Sequence, residues 1–212
     1  MTETVKRRPY DSSRRQAKAR QTRAAIIAAA AALFAEGGYG PTTMEAIAEE
    51  AGVAVQTVYA VFGTKAGVVA ALRDDRLTGD DQPVVVRDRS WYADMLAAPD
   101  VADRLSKLAV GVTLIHVRTG FVNRLIRDGA GVDLDLAALC HLERRQRRQS
   151  LAPLAAALAR DLPHWGRDEL LDTLWSLVSP ELHELLVTER HWTARHYQRW
   201  LTQTLSAVIL PR

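Results

Sequence analysis

The sequence has one cysteine and no long hydrophobic run. Cys140 is the one cysteine among 212 residues, which excludes an internal disulfide and is typical of a protein from a reducing compartment. The longest apolar run, residues 24–35, has twelve residues and is mostly alanine, whereas a membrane-spanning helix needs about 20. This run follows a basic lead of 23 residues and ends in Glu-Gly-Gly, unlike a secretory signal with its short charged start. We therefore expect a cytoplasmic protein that does not span a membrane.

Motifs for metal binding and catalysis are also lacking. The six histidines form no His-Glu-x-x-His pattern, and a single cysteine cannot form a Cys-x-x-Cys motif. Cys140 and His141 are neighbours, but adjacent residues of a helix point in different directions, so Cys140 is better interpreted as a small buried side chain. The sequence contains neither a Gly-x-Ser-x-Gly motif nor a phosphate-binding loop. We expect no metal, no cofactor and no enzymatic activity.

Strand patterns are almost absent as well. The one β-like run, residues 83–86, has no second strand to pair with and is predicted to be a loop. Hydrophobic residues make up 48% of the chain and charged residues 25%, as in an ordinary soluble globular protein. Elsewhere the apolar positions recur at helical spacing. The sequence therefore predicts an all-α fold.

Positive charge is concentrated at one end of the chain. The net charge is +3, but residues 1–23 carry eight basic and two acidic side chains, which leaves the other 189 residues with a net charge of −3. A positive arm on a slightly acidic body indicates a polyanionic partner. A solubilising tail would give the same pattern, so the charge alone does not decide. Residues 1–13, which are polar and include Pro9, are predicted to be a disordered arm.

A first helix is predicted over about residues 15–36. Ile26, Ala30 and Phe34 recur on one face of this helix, and a glycine pair follows it. The basic residues between 14 and 23 then occupy its first two turns.

A helix, a glycine turn and a second helix follow between residues 43 and 62. Thr42 and Glu45 have the spacing of a capping box, which predicts a helix over about 43–50 with Thr42 as its N-cap. Gly52 predicts a tight turn, and a second helix over about 54–60 places Val58 inward. Thr64 is predicted to cap the next helix.

The second of these helices has one thin apolar face, and its other faces carry Gln56, Thr57 and Tyr59. Short hydrogen-bonding and aromatic side chains without charge suit contacts with base edges and phosphates. The basic arm is adjacent in sequence and would add attraction for phosphate. This pattern favours a DNA-binding helix-turn-helix over its alternative, a helical hairpin that only helps to build a core.

A series of further helices is predicted after residue 78. Ser179 and Pro180 are a good N-cap and first-turn pair, and Thr193 is predicted to cap the last helix. A basic run on the long helix is interpreted as a solvated face rather than a second anion site: Arg144, Arg145, Arg147 and Arg148. The predicted helices cover about residues 91–98, 100–118, 121–128, 133–160 and 167–178, with one more beginning at 180 and another at 193.

Residues 42–65 have the sequence TTMEAIAEEAGVAVQTVYAVFGTK, and Leu33-Phe34 with Gly38-Tyr39 precedes them. The first stretch resembles the N-terminal signature of the tetracycline-repressor-like (TetR) family of transcriptional regulators, and the second resembles the end of that family's first helix. The remaining residues match only in being helical and of the right length. The resemblance implies a three-helix helix-turn-helix DNA-binding domain over residues 14–63. It also implies a larger helical domain over 64–212 that binds a small-molecule effector and forms a homodimer.

The resemblance further implies a set of DNA contacts. Thr43 would begin the first motif helix, where backbone N–H groups can meet a phosphate. Tyr59 and Lys65 would contact phosphates, whereas Gln56 would read bases. Ala54 stands where the family often has a small polar residue, so the reading helix lacks a side-chain cap. The predicted DNA-binding residues are Thr43, Val55, Gln56, Thr57, Tyr59 and Lys65, with Arg14, Arg15 and Lys18 near the N-terminus.

For the N-terminal arginines two interpretations remain open. Arg14 or Arg15 would reach a flanking minor groove, where narrow A·T tracts attract arginine. Non-specific attraction to phosphate is the simpler interpretation and is slightly favoured.

Candidate dimer and ligand residues lie in the second half of the chain. Two helices with broad apolar faces are predicted to form a two-fold interface, with a role in the chain's own core as the alternative. The predicted interface residues are Leu170, Leu174, Val178, Tyr197, Trp200, Leu201 and Leu205. The candidate ligand residues are His116, Phe121, Asn123, Cys140 and Trp175, each of which could instead be an ordinary core or surface residue.

These observations favour a homodimeric repressor that leaves a palindromic operator when a small-molecule effector binds. One rival is a helical small-molecule-binding protein or enzyme with a non-functional N-terminal hairpin. The other is an architectural protein that binds DNA without choosing a sequence.

Overall fold

The computed structural model of the chain describes residues 12–78 and 90–211, and these residues contain helices and no strands. The predicted all-α fold is therefore confirmed. The predicted loop at 83–86 and most of the predicted arm lie outside the described residues. The helices are α1 (Ser12–Gly37), α2 (Met44–Glu50), α3 (Val55–Phe62), α4 (Lys65–Thr78), α5 (Ser90–Leu96), α6 (Val101–Gly129), α7 (Leu134–Asp161), α8 (Arg167–Leu177), α9 (Pro180–His183) and α10 (Ala194–Ile209).

The chain divides into two compact units, Met1–Val68 and Val69–Arg212. The division falls within α4, a few residues after the predicted boundary between 63 and 64. In the first unit α1 begins at Ser12, so the last two residues of the predicted arm belong to the helix.

The core of the first unit is formed by apolar residues of its three helices. Ile26, Ile47 and Val58 are fully buried, one from each of α1, α2 and α3. The predicted inward faces of these helices are therefore confirmed.

The N-cap of α2 is Thr43 rather than the predicted Thr42. The Thr43 side-chain oxygen accepts a hydrogen bond from the backbone N–H of Ala46 at 3.1 Å. Thr42 is instead buried, and its hydroxyl donates to the carbonyl oxygen of Gly38 at 2.8 Å. The capping prediction was wrong by one residue because the Thr42 hydroxyl hydrogen-bonds the Gly38 carbonyl, just after α1, and does not cap α2.

The second unit is built around α6, which packs against α5, α7 and α10. Two predicted helices, 100–118 and 121–128, form this single helix of 29 residues. Thr119 and Gly120 do not interrupt it: the Thr119 hydroxyl donates to the Ile115 carbonyl, and Thr119 and Val122 are buried against other helices. Tertiary packing thus outweighs the roughly 1 kcal/mol that a glycine costs a helix.

The segment after α8 also departs from the predicted regular helix. Ser179 caps α9 and Pro180 occupies its first turn, as predicted. After one turn the chain continues as a π-helical segment, Glu184–Glu189, before Thr193 caps α10 as predicted. Helical segments of this kind occur mostly as single turns and frequently at functional sites.

The predicted dimer residues lie in the core of a single chain. Leu170, Leu174, Tyr197, Leu201 and Leu205 are 0% exposed, and Val178 is 2% exposed. The apolar faces of α8 and α10 are covered by α7 and α6 of the same chain, so these six residues have no surface left for a partner. Trp200 is partly buried, 5.9 Å from the Tyr197 ring centre. The core alternative was therefore the right one for six of the seven.

By length and composition α6 could cross a membrane, and so could α3 and α4 together, although these two are bent by 68°. Half of the most apolar stretch of α6 is buried among the other helices. The core helix of a soluble protein meets the same criterion, so this finding is weak evidence for a membrane span.

Candidate functional site

The first unit contains a helix-turn-helix. Helices α2 and α3 are joined by residues 51–54, and Gly52 within this turn has a φ of +65°, a conformation that glycine adopts without a steric penalty. Met44, Ala48 and Val58 point into the core and hold the two helices together. The other side of α3 is left exposed.

The exposed side of α3 carries the residues that the sequence singled out. Gln56 is exposed, and Tyr59 is 47% exposed; Val55 and Thr57 are partly buried. Ala60 is also exposed, four residues and so about one helical turn after Gln56, and the sequence analysis did not single it out. A small side chain there lets α3 approach another surface closely, and its methyl group suits contact with a thymine methyl.

The helix starts of this motif differ in their capping. Ala54 precedes α3 and makes no side-chain capping hydrogen bond, as predicted from its missing polar group. Thr43 caps α2 through its oxygen, and its exposed hydroxyl can still donate a hydrogen bond. The phosphate contact predicted for Thr43 is compatible with this geometry and stays a prediction.

Lys65 makes contacts that the sequence did not suggest. Its ammonium donates to the carbonyl oxygens of Tyr39 at 2.8 Å, Gly40 at 3.3 Å and Thr42 at 2.8 Å. It also lies 4.1 Å from the centre of the Tyr39 ring, in a cation–π contact. Lys65 therefore ties the start of α4 to the loop between α1 and α2. A phosphate bound at Lys65 would have to share this ammonium.

The N-terminal basic residues lie on α1. Arg14, Arg15 and Lys18 are exposed within its first two turns. Arg23, one of the eight basic residues counted between positions 1 and 23, lies 4.8 Å from the centre of the Phe62 ring at the end of α3. The minor-groove contact proposed for Arg14 or Arg15 stays a hypothesis.

Comparison with known proteins agrees with this geometry. The sequence profile described as "Bacterial regulatory proteins, tetR family" matches residues 26–72, which include the whole helix-turn-helix. The helix-turn-helix of this chain therefore belongs to a TetR-family DNA-binding domain. No curated protein matches it in sequence.

A solved structure supports the fold of the whole chain. It is that of a protein from Pseudomonas aeruginosa PAO1 assigned as a transcriptional regulator, with a TM-score of 0.67 and 16% identity over 89% of this chain and 90% of the other. At this identity the likeness concerns the fold.

The second unit contains a cavity of about 500 Å³. This volume is within the usual range for small-molecule sites. Of the five candidate ligand residues, His116, Asn123 and Cys140 line the cavity. Phe121 and Trp175 do not, and the ring of Trp175 instead lies 4.7 Å from the guanidinium of Arg147. Phe121 and Trp175 are both partly buried. Helical spacing shows which side of a helix is covered, but it does not show whether that side faces a cavity or another helix.

Charged residues that the sequence analysis did not propose as ligand residues also line the cavity, and they occur in ion pairs. Arg73 lies 2.5 Å from Glu143, and Arg127 makes two contacts with Glu184, at 2.5 and 2.9 Å. Burial raises the pKa of Glu143, and Arg73 acts in the opposite direction. Arg127 holds the pKa of Glu184 below its usual value through a side-chain hydrogen bond.

A cluster of buried polar rings adjoins the cavity. The ring of His183 lies 5.2 Å from that of His116 and 4.9 Å from that of Tyr197, measured between centres. Burial lowers the pKa of His116 to about 3, with the nearby His183 and Arg147 adding to the effect. Burial also lowers the pKa of His183 and raises that of Tyr197. All three rings are therefore uncharged at neutral pH.

Proposed function

We propose that this TetR-family regulator is a cytoplasmic homodimeric repressor that binds a palindromic operator and leaves it when a small molecule binds. The proposal includes no catalytic step. Its main support is the exposed side of α3, where Gln56, Tyr59 and Ala60 are available for contact with DNA.

The length of α3 supports the dimer. This helix has eight residues and is about 12 Å long, which matches only three or four base pairs of B-DNA. Two such helices related by a two-fold axis would read half-sites about 34–36 Å apart, one turn of B-DNA. A palindrome is the DNA sequence that fits this symmetry.

The cavity supports the response to a small molecule. Arg73 of α4 pairs with Glu143 at the cavity wall, and the same helix begins with Lys65, which holds the loop before α2. A ligand that displaces Arg73 would therefore act on the helix that continues from the DNA-binding unit. Each tenfold loss of operator affinity requires about 1.4 kcal/mol of preference of the ligand for the DNA-free form.

Selection of preferred sequences from random DNA with the purified full chain tests the proposal. We expect a palindrome, a steep fall of affinity with salt, and binding to this palindrome that is about a thousandfold or more tighter than binding to random DNA. An architectural protein would keep the salt dependence without the preference. A carrier or enzyme with a non-functional hairpin would show neither, and either outcome would refute the proposal.

Two substitutions on α3 separate base reading from phosphate contact. Gln56→Ala should change the preferred sequence, whereas Tyr59→Ala should weaken binding to operator and random DNA alike. Equal losses on both DNAs for Gln56→Ala would contradict its role in reading bases. Glu36→Ala, at an exposed position near the end of α1, is a control expected to leave the sequence preference unchanged.

A further inference from the structure

The charges that line the cavity cancel. Four arginines and four acidic residues contribute to its wall, and the ion pairs join residues of both groups. They are Arg73, Arg127, Arg144 and Arg147, with Asp74, Glu143, Glu181 and Glu184. A charged ligand that binds at the most buried pair, Arg73 and Glu143, would have to separate it and leave a largely buried charge without its partner, which is costly. The cavity therefore favours an uncharged ligand.

The neutral polar groups of the wall differ in what they already bind. The Thr119 hydroxyl donates to the Ile115 carbonyl at 2.9 Å and accepts from the Asn123 amide at 3.1 Å. His116 is 4% exposed, and its Nδ1 has no hydrogen-bond partner among the described residues. A buried polar atom without a hydrogen-bond partner destabilises the protein, because it has lost its contact with water. His116 is therefore the polar group of the wall that gains most from a ligand.

A second unpartnered histidine, His183, lies behind the cavity wall at His116, with 5.2 Å between the two ring centres. Gly120 lines the cavity, and a side-chain carbon at this position would lie 3.9 Å from the ring of His183. Nε2 of His183 and the hydroxyl of Tyr197 also lack hydrogen-bond partners among the residues that the structure describes. Neither of these two residues lines the cavity, so His116 offers the unpartnered group at this end, whereas Leu108, Val112 and Ile126 give the wall apolar surface.

We infer that the cavity binds an uncharged, largely apolar molecule that carries a hydroxyl group, and that this hydroxyl hydrogen-bonds Nδ1 of His116. A hydroxyl group suits either neutral form of the imidazole because it can donate and accept. The inference rests on the proposed function in taking this cavity as the effector site, and it adds the chemical class of the ligand.

Four probes that share one ring system test this class. They are naphthalen-2-ylmethanol, the hydrocarbon 2-methylnaphthalene, naphthalene-2-carboxylate and protonated naphthalen-2-ylmethanamine, each titrated by calorimetry into the full chain without DNA at neutral pH. We expect the alcohol to bind about tenfold tighter than the hydrocarbon and than either ion. Tightest binding by the carboxylate or the ammonium ion would overturn the inference, and so would no binding of the alcohol.

Substitution of His116 tests the assigned contact. His116→Phe should remove the alcohol's advantage over the hydrocarbon and keep hydrocarbon binding within about threefold, because only the hydrogen bond is lost. His141→Phe, at an exposed position on α7, is the matched control and should keep the advantage. An unchanged advantage in His116→Phe would refute the contact.

A measurement on the unsubstituted protein avoids the case in which His116→Phe fails to fold. In a protein with ¹⁵N-labelled histidine rings, the alcohol should shift the ring signals of a histidine that is still neutral at pH 5, and the hydrocarbon should shift them much less. Equal shifts from both probes would contradict a hydrogen bond to the imidazole.

The failure of this inference can be told from that of the proposed function. Release of operator DNA is measured separately, with the same four probes. If the alcohol binds through His116 and the operator complex is unaffected, the ligand class holds and the effector role fails. If an ion binds best and releases the operator, the repressor stands and the assigned ligand class is wrong.

Discussion

At the scale of single residues, Lys65 shows how a residue expected at the DNA can also hold the fold. Its ammonium reaches three carbonyl oxygens of the loop before α2, and this loop also contains Thr43. Hydrogen bonds from a charged donor are among the stronger ones in proteins. Loss of Lys65 would therefore disturb the position of α2 as well as any phosphate contact.

Lys65→Met should lower both stability and DNA affinity. The substitution removes the three hydrogen bonds and keeps most of the apolar stem, so we expect a loss of about 1–3 kcal/mol in the free energy of unfolding. Thermal or urea unfolding measures this, alongside binding to random and selected DNA. Lys18→Met, exposed on α1, should weaken DNA binding with stability unchanged. If Lys65→Met behaved like Lys18→Met, the contacts with the loop would have no energetic weight.

The burial of His116 makes the free energy of unfolding depend on pH. Its pKa is about 3 in the folded chain and about 6.5 when unfolded, and the groups that face it are His183, Arg147 and Tyr197. Below pH 6.5 unfolding therefore takes up a proton, which favours the unfolded chain, and stability falls as the pH is lowered from 6.5 toward 3. At pH 8 the imidazole is neutral in both states and this contribution vanishes.

Unfolding at pH 8 and pH 5 tests this assignment. His116→Gln lacks the titrating group, so it should lose about 2 kcal/mol less stability than the parent chain between these two values. His141→Gln, at an exposed site, should lose as much as the parent. The same loss in the parent and in His116→Gln would show that His116 is not buried in its neutral form.

At the scale of helices, the sequence was most informative where a capping residue marks the start of a helix. Ser179 and Thr193 cap the helices that were predicted from them, and Thr64 accepts a hydrogen bond from the N–H of Gly67 in the first turn of α4. Capping is local chemistry, so neighbouring residues in sequence suffice to predict it. Continuation of α6 through Gly120 depends on burial against other helices, and local patterns do not contain that information.

The junction of α3 and α4 depends on Gly67, which local patterns did not single out. A side-chain carbon at this position would overlap the carbonyl oxygen of Phe62, the last residue of α3. Backbone atoms yield less easily than a flexible side chain, so a larger residue would push the two helices apart. The close approach of α3 to α4 thus requires a glycine.

Gly67→Ala should therefore destabilise the first unit and weaken DNA binding. We expect a loss of about 1–3 kcal/mol, typical of overpacking, even though alanine is the better helix former. Gly37→Ala is the matched control, because nothing lies within 4 Å of the position that its added carbon would take. Urea unfolding and DNA binding of both variants measure the effect. A Gly67→Ala chain as stable as the parent would mean that α3 and α4 separate without cost.

At the scale of the whole molecule, most of the residues predicted to form the dimer interface lie in the core of one chain, and this has a physical reason. An amphipathic helix shows that one face is covered, but its periodicity is the same whether the chain itself or a second copy covers it. In this chain α6 and α7 cover the apolar faces of α8 and α10. The ligand candidates fared better, since three of the five line the cavity. His116, Asn123 and Cys140 carry polar groups on otherwise apolar helices. Such a polar group indicated a cavity, which the apolar periodicity of a helix does not.

The dimer itself makes a prediction that does not depend on which surface forms it. An eight-residue reading helix contacts too few base pairs to find a site alone, so high affinity requires two helices on one DNA. We expect two chains per operator in light-scattering measurements, protection of two half-sites about one helical turn apart, and binding to a half-site duplex that is weaker by about a hundredfold or more. The half-site duplex keeps the length and base composition of the operator, with one half-site intact and the other scrambled. The loss of affinity then measures the contact made by the second copy of α3. One chain bound per operator, or full affinity for the half-site, would show that a single copy of α3 carries the recognition.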